Sequence, residues 1–307
     1  MKVSTAFLFD RATAQMGVVQ NRLATSQAQM AQGKQVIKPS DAPDQASTIA
    51  RMKGILDKQT SYLDAVQSAR NRYQSEETAL SGVNEALIRM RELTIQAAND
   101  TLGPADRQAL AIEMGGLRDQ VMSLANTQDE NGSYIFAGSR VKSPAFGISA
   151  TGTFVYQGDQ STMQILVGDQ RTVQLNRSGS DAFQRVVRED IEGNQYGVGF
   201  FQAMDDMVNA VQNSDRDAMN RGVVEMDGLQ IGVGLALAQI GTDMNVLDSQ
   251  EVVLDETNLR LKMTLSNVED LDYAEAITQM NKEMLALEAA QSSFGKISQL
   301  SLFDYIK

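Results

Sequence analysis

Residues 7–30 read FLFDRATAQMGVVQNRLATSQAQM, with Phe9, Ala12, Met16, Val19, Leu23, Ser26 and Met30 spaced alternately by three and four. Residues 273–294, YAEAITQMNKEMLALEAAQSSF, repeat the spacing with Tyr273, Ile277, Met280, Met284, Leu287, Gln291 and Phe294. A helix with this period keeps one narrow apolar seam on a constant side and is stabilised by another helix laid against it. Each seam lacks a nearby cover, so the two ends of the chain are predicted to pair and the middle to loop out. Pairing within one chain uses part of each seam and leaves the rest for neighbouring copies. The predicted assembly seam is Phe9, Met16, Val19, Leu23, Met30, Tyr273, Ile277, Met280, Met284, Leu287 and Phe294.

Composition supports helix seams over a thick mixed core. Among 307 residues there are 16 Met and no Trp, and aromatics make up only 6%. The chain has no Cys and no His, which removes thiolate and imidazole chemistry, Cys/His zinc sites and the Ser-His-Asp triad together. Carboxylate pairs at Glu76/Glu77, Asp129/Glu130, Asp205/Asp206 and Glu269/Asp270/Asp272 remain. They are read as solvated faces and helix-start charge, because adjacent helical residues point in different directions. The close glycines of YGVGFF (196–201) and GLQIGVGLA (228–236) supply no phosphate-loop pattern. Gly232 and Gly234 are read as points of close helix approach or weak spots in the helix. No enzyme activity, cofactor or metal is therefore expected.

With 27 basic against 39 acidic residues the net charge is -12, and the basic residues are scattered. That speaks against nucleic acid as a partner. Apolar runs such as GVGLALAQI (232–240) are short of the ~20 residues of a membrane span, so no membrane insertion is expected. The N-terminal AFLF is too short for the apolar core of a cleaved secretory signal.

Along the chain, a first helix is predicted from about Thr5 to Gln32, stopped by Gly33. The connector KQVIKPSDAPD leads into a long helix over about 44–99, and Pro104 opens a third. Between about 132 and 180 the texture becomes Gly-, Ser- and Thr-rich, with Met163, Ile165 and Val167 alternating before a two-residue turn at Gly168-Asp169, then Val173 and Leu175. Helical pattern returns near Phe200 and is strongest from Leu237, long enough to pair antiparallel with the 44–99 helix. Capping-box spacings at Ser266/Glu269 and Asp272/Glu275 predict a helix restart there. The fold class is mainly α: paired terminal helices in an α-helical coiled coil (1–43 with 266–307), a helical rod (44–138 with 190–265) and a small β-rich insertion (139–189).

Four stretches carry a resemblance. KPSDAPDQA (38–46), YLDAVQSARNRYQSEETALSGVNEALIRMRELTIQAANDT (62–101) and SNVEDLDYAEAITQM (266–280) are similar to the ends of bacterial flagellins. NGSYIFAGS (131–139), with the PSD connector, resembles the hook-associated branch of that family. The resemblance covers roughly residues 1–140 and 235–307. It implies a non-enzymatic axial protein of the bacterial flagellum, a junction between hook and filament, with a divergent flagellin as the alternative. It also implies self-association in a helical ring layer, contact with the first hook-associated protein and with flagellin, and a cytosolic flagellar export chaperone that holds the C-terminal region. Export through the flagellar type III apparatus, without a cleaved signal, would place it outside the cell.

Overall fold

The computed structural model describes residues 5–99, 101–189 and 194–305. Among the described residues seven helices and six strands follow one another: α1 (Thr5–Gln32), α2 (Pro43–Ala97), α3 (Pro104–Ala125), β1 (Phe146–Ile148), β2 (Phe154–Tyr156), β3 (Gln164–Leu166), β4 (Thr172–Gln174), α4 (Gly179–Ala182), β5 (Val186–Glu189), β6 (Gln195–Val198), α5 (Phe200–Gln212), α6 (Arg216–Glu269) and α7 (Tyr273–Tyr305). The chain packs as two units, one of residues 1–59 and 256–307, the other of residues 60–255. The boundary falls inside α2 and α6.

The larger unit holds the core. Leu80, Val83, Leu87 and Met90 of α2 interlock with Met114 and Val121 of α3, Met204 and Met207 of α5, and Met226, Leu229, Val233, Ile240 and Leu247 of α6. Unbranched Met fills the irregular gaps between these helices. Within this unit α2 and α6 run antiparallel, as their periodicities predict. Arg91 reaches Asp227 at 2.5 Å, and Arg70 contacts both Asp248 and Glu251. By length and composition part of α6 is apolar enough to cross a membrane, which the sequence reading overlooked. In the fold Met226, Leu229, Val233 and Ile240 of this stretch are buried in the core, while Val224, Ile231 and Leu235 are exposed. At Gly222 a Cβ would press on the flexible end of the Met207 side chain, which would have to shift. At Gly232 a Cβ would make only ordinary contacts, and at Gly234 it would meet open space, so neither marks a close helix approach.

The β-rich part consists of three separate antiparallel hairpins, β1-β2, β3-β4 and β5-β6. The β3-β4 turn includes Gln170 as well as Gly168 and Asp169, because Val167 N–H donates to Arg171 O at 2.9 Å and closes a three-residue turn, one residue longer than predicted. The β-rich part holds a buried aromatic cluster of Phe136, Phe146, Phe183, Phe200 and Phe201, with ring centroids about 5 Å apart in edge-to-face pairs.

The YIFAGS stretch (134–139) is the seat of this insertion. Ile135, Phe136 and Ala137 are buried, and their carbonyls are all used. Ile135 O accepts from Arg72, Phe136 O from Gly179 N–H and the Tyr156 hydroxyl, and Ala137 O from Asp159 N–H. Gly138 has φ +68, and a Cβ there would collide with Asp159. The Asp159 carboxylate accepts from the amide and hydroxyl of Ser139 and from the amide of Ser161, which lowers its pKa to about 2.

Candidate assembly seam

The smaller unit is built from α1, the connector, the first turns of α2, the end of α6, and α7. Gly33, at φ +65, ends α1 in the left-handed conformation that glycine adopts without a steric cost. The connector then runs antiparallel to the α6–α7 junction: Gln35 N–H donates to Glu269 O at 2.8 Å and Leu271 N–H to Gly33 O at 3.0 Å. Two lysines converge on the same buried carboxylate, Lys34 Nζ at 2.6 Å and Lys53 Nζ at 2.8 Å from Glu269 Oε1. Their hydrogen bonds hold the Glu269 carboxyl below its usual range. Glu269 thus serves as an ion-pair hub at the last residue of α6, which runs unbroken through Ser266, so no helix restarts there. Asp272 does cap α7, accepting from Ala274 N–H at 2.8 Å and Glu275 N–H at 3.2 Å.

Beyond the connector α1 and α7 pair antiparallel. Phe9 and Phe294 stack obliquely with centroids 4.8 Å apart, Ser26 Oγ donates to Glu283 Oε2 at 2.8 Å, and the Tyr273 hydroxyl reaches Met30 O at 3.4 Å. Phe9 thus meets Phe294 at one end of the pair and Met30 meets Tyr273 at the other. On α1 the less exposed side carries Ala12, Met16, Val19, Leu23, Ser26 and Met30, the predicted series. On α7 it carries Ala276, Met280, Glu283, Leu287, Ala290 and Phe294.

The predicted α7 seam is therefore split. Met280, Leu287 and Phe294 lie on the side of α1. Ile277 and Met284 remain 44% and 50% exposed, and Gln291 is exposed with them. In the sequence Ile277 and Met284 carry the apolar period because they are large. The structure fills those layers with Ala276, Glu283 and Ala290, which let the helices approach. A shallow groove of about 490 Å³ lies beside Leu23 and Leu287, edged by Met284, Leu285, Glu288 and Gln291. Among the described residues of this unit only Ile49 and Ala276 are buried apolar side chains.

Elsewhere the carboxylate pairs are partnered in ways the sequence did not reveal. Asp205 contacts Arg118, Asp206 pairs with Arg188 at 2.7 Å, and Glu76 is wholly buried where a solvated face was expected. Among the described residues no cluster of carboxylates is placed to hold a metal ion.

Residues 3–141 match the bacterial flagellin N-terminal helical region and residues 225–306 the bacterial flagellin C-terminal helical region, together more than two thirds of the chain. The chain belongs to the bacterial flagellin family. Within this family it is similar to flagellar hook-associated protein 3 of Salmonella typhimurium, 27% identical over 99% of both chains. It is also similar to flagellar hook-associated protein 3 of Escherichia coli, 28% identical over 91% of each. The crystal structure of flagellar hook-associated protein 3 from Legionella pneumophila shares the fold, with a TM-score of 0.65 at 19% identity over 72% of this chain and 98% of that one. As a member of the flagellin family the protein is a structural component of the bacterial flagellum, and its associations are with other flagellar components.

Proposed function

We propose that the protein is the junction piece that joins the hook, through the first hook-associated protein, to the flagellin filament. The observation that carries this reading is the end-to-end match to hook-associated protein 3 relatives, with no large part of either chain left over. In this reading residues 1–43 and 266–307 form a tube-lining coiled coil, 44–138 with 190–265 a surrounding rod, and 139–189 an outward insertion. The apolar side chains of α7 that α1 does not cover, Ile277 and Met284 foremost, meet neighbouring copies in a ring layer. Burying apolar surface stabilises by about 25 cal/mol per Å², so exposed seams favour self-association. A cytosolic chaperone covers the C-terminal seam before export through the type III apparatus, which reads no cleaved signal.

Deletion of the gene tests the reading. Hooks should still assemble while flagellin is shed into the medium. Loss of the filament subunit itself, with the junction intact, would instead identify a divergent flagellin.

A further inference from the structure

Glu283 stands out as a carboxylate, 8% exposed, on the side of α7 that otherwise carries Ala276, Met280, Leu287, Ala290 and Phe294. Both of its oxygens are engaged. Oε2 accepts from Ser26 Oγ at 2.8 Å and Oε1 from Gln279 Nε2 at 3.0 Å. Ser26 is itself 8% exposed and is the one hydroxyl on the inner side of α1 between Ala12 and Met30. The rest of the seam repeats with the heptad: Phe9, Met16, Leu23 and Met30 on one helix, Tyr273, Met280, Leu287 and Phe294 on the other. A stripe this regular fits itself almost as well after sliding by seven residues, because each large apolar side chain meets another.

From this we infer that the Ser26–Glu283 hydrogen bond is a specificity determinant of the terminal seam, selecting, together with the backbone bridge of Gly33 and Gln35 to Leu271 and Glu269 at its end, one axial register from those its apolar residues allow. Sliding by one heptad in one direction carries Glu283 from Ser26 to Val19, stranding a carboxylate oxygen against an apolar side chain. Sliding the other way carries it to Gly33, beyond the end of α1, and sets Ser26 against Ala290. Leaving a buried charged acceptor without its donor costs far more than the bond contributes when made, so the pair acts mainly by penalising the wrong registers. Buried polar residues fix coiled-coil register in this way at some cost in stability. The inference rests on the geometry of the paired helices and holds independently of the junction role.

The chain has no cysteine, so pairs of introduced cysteines report register without background. In the full-length purified chain, Phe9→Cys with Phe294→Cys, at the ring contact, reads the register described here, and Phe9→Cys with Leu287→Cys reads the register slipped by one heptad. Under mild oxidation the first pair should form a disulfide at least roughly tenfold faster than the second while Ser26 and Glu283 are intact. Adding Glu283→Leu, which keeps the seam apolar, should bring the two rates together. Glu283→Gln, which keeps an acceptor for Ser26, should restore most of the difference. The inference is overturned if the slipped pair stays silent with Glu283→Leu, or if the first pair shows no preference with Glu283 present. Assembly of hooks and filaments in cells is not part of this readout, so its outcome is separate from that of the deletion test.

Discussion

Glu76 Oε2 lies 4.0 Å from Arg177 Nε, joining the middle of α2 to the residue before the N-cap of α4 in the β-rich insertion. Arg72, one turn earlier on α2, stands 3.9 Å from the other Glu76 oxygen, and Arg177 also reaches Asp243 of α6 at 3.3 Å. Two arginines and three acids, counting Asp129 beside Arg72, are thus held where two long helices meet the insertion.

Glu76 should make stability fall as pH rises. Burial raises its carboxyl to about 7, against the pull of Arg72 and Arg177. A carboxyl whose folded pKa is raised binds its proton more tightly when native. Its stabilising contribution is complete below the unfolded value near 4.5 and is lost as pH climbs through about 7. Glu76→Gln should flatten this slope, with a difference from the parent of up to roughly 3 kcal/mol between pH 4 and pH 8. Urea unfolding across that range checks it; identical slopes would show that Glu76 does not titrate in the native state.

Glu269 works with the opposite sign. Its carboxyl is lowered by Lys34 and Lys53, so its contribution is present above the unfolded value and lost as pH falls through the folded one. Glu269→Gln should speed tryptic cleavage in the connector at Lys34 at neutral pH. Unchanged cleavage would mean the backbone bridge alone holds the connector.

Gly138→Ala should destabilise the insertion by about 2 kcal/mol or more. It places a Cβ at positive φ and drives it into Asp159. Gly132→Ala is the comparison, since its φ is +73 but a Cβ there meets nothing within 4 Å. Equal losses for the two would show that backbone strain, and not the Asp159 contact, sets the requirement.

Limited proteolysis of the free monomer should trim both ends, to about residues 45 and 265. The smaller unit buries few apolar side chains, so it has little to offset the entropy of ordering α1 and α7. Intact ends after the larger unit begins to be digested would contradict this.

Replacing Ile277 and Met284 together by Gln should leave monomer unfolding within about 0.5 kcal/mol of the parent, because both are half-exposed. Self-association, followed by sedimentation, should weaken. Leu287→Gln should instead loosen the α1–α7 pair within a single chain. Equal effects from the two changes would remove the distinction between an inner and an outer stripe on α7.

The order of elements, the stop at Gly33, the opening of α3 at Pro104 and the inner side of α1 were readable from residue pattern, because each depends on local backbone preference or a helical period. Periodicity could not say which of two adjacent stripes on α7 faces α1. Both repeat every seven residues, and the larger side chains of Ile277 and Met284 outweigh Ala276 and Ala290 in any count of hydrophobicity. That choice depends on how closely two backbones can approach, which is a property of the pair. The partners of Glu76, Glu269 and Glu283 were hidden for a related reason. A lone acid in a sequence reads as solvated, and only the folded chain brings Arg177, Lys34 or Ser26 to it from a hundred or more residues away. Sequence alone thus determined a helical chain with pairing ends and a β-rich insertion. Tertiary structure decided which charges are buried and which side of the terminal helix stays open to other subunits, because burial and close approach arise only when distant segments meet.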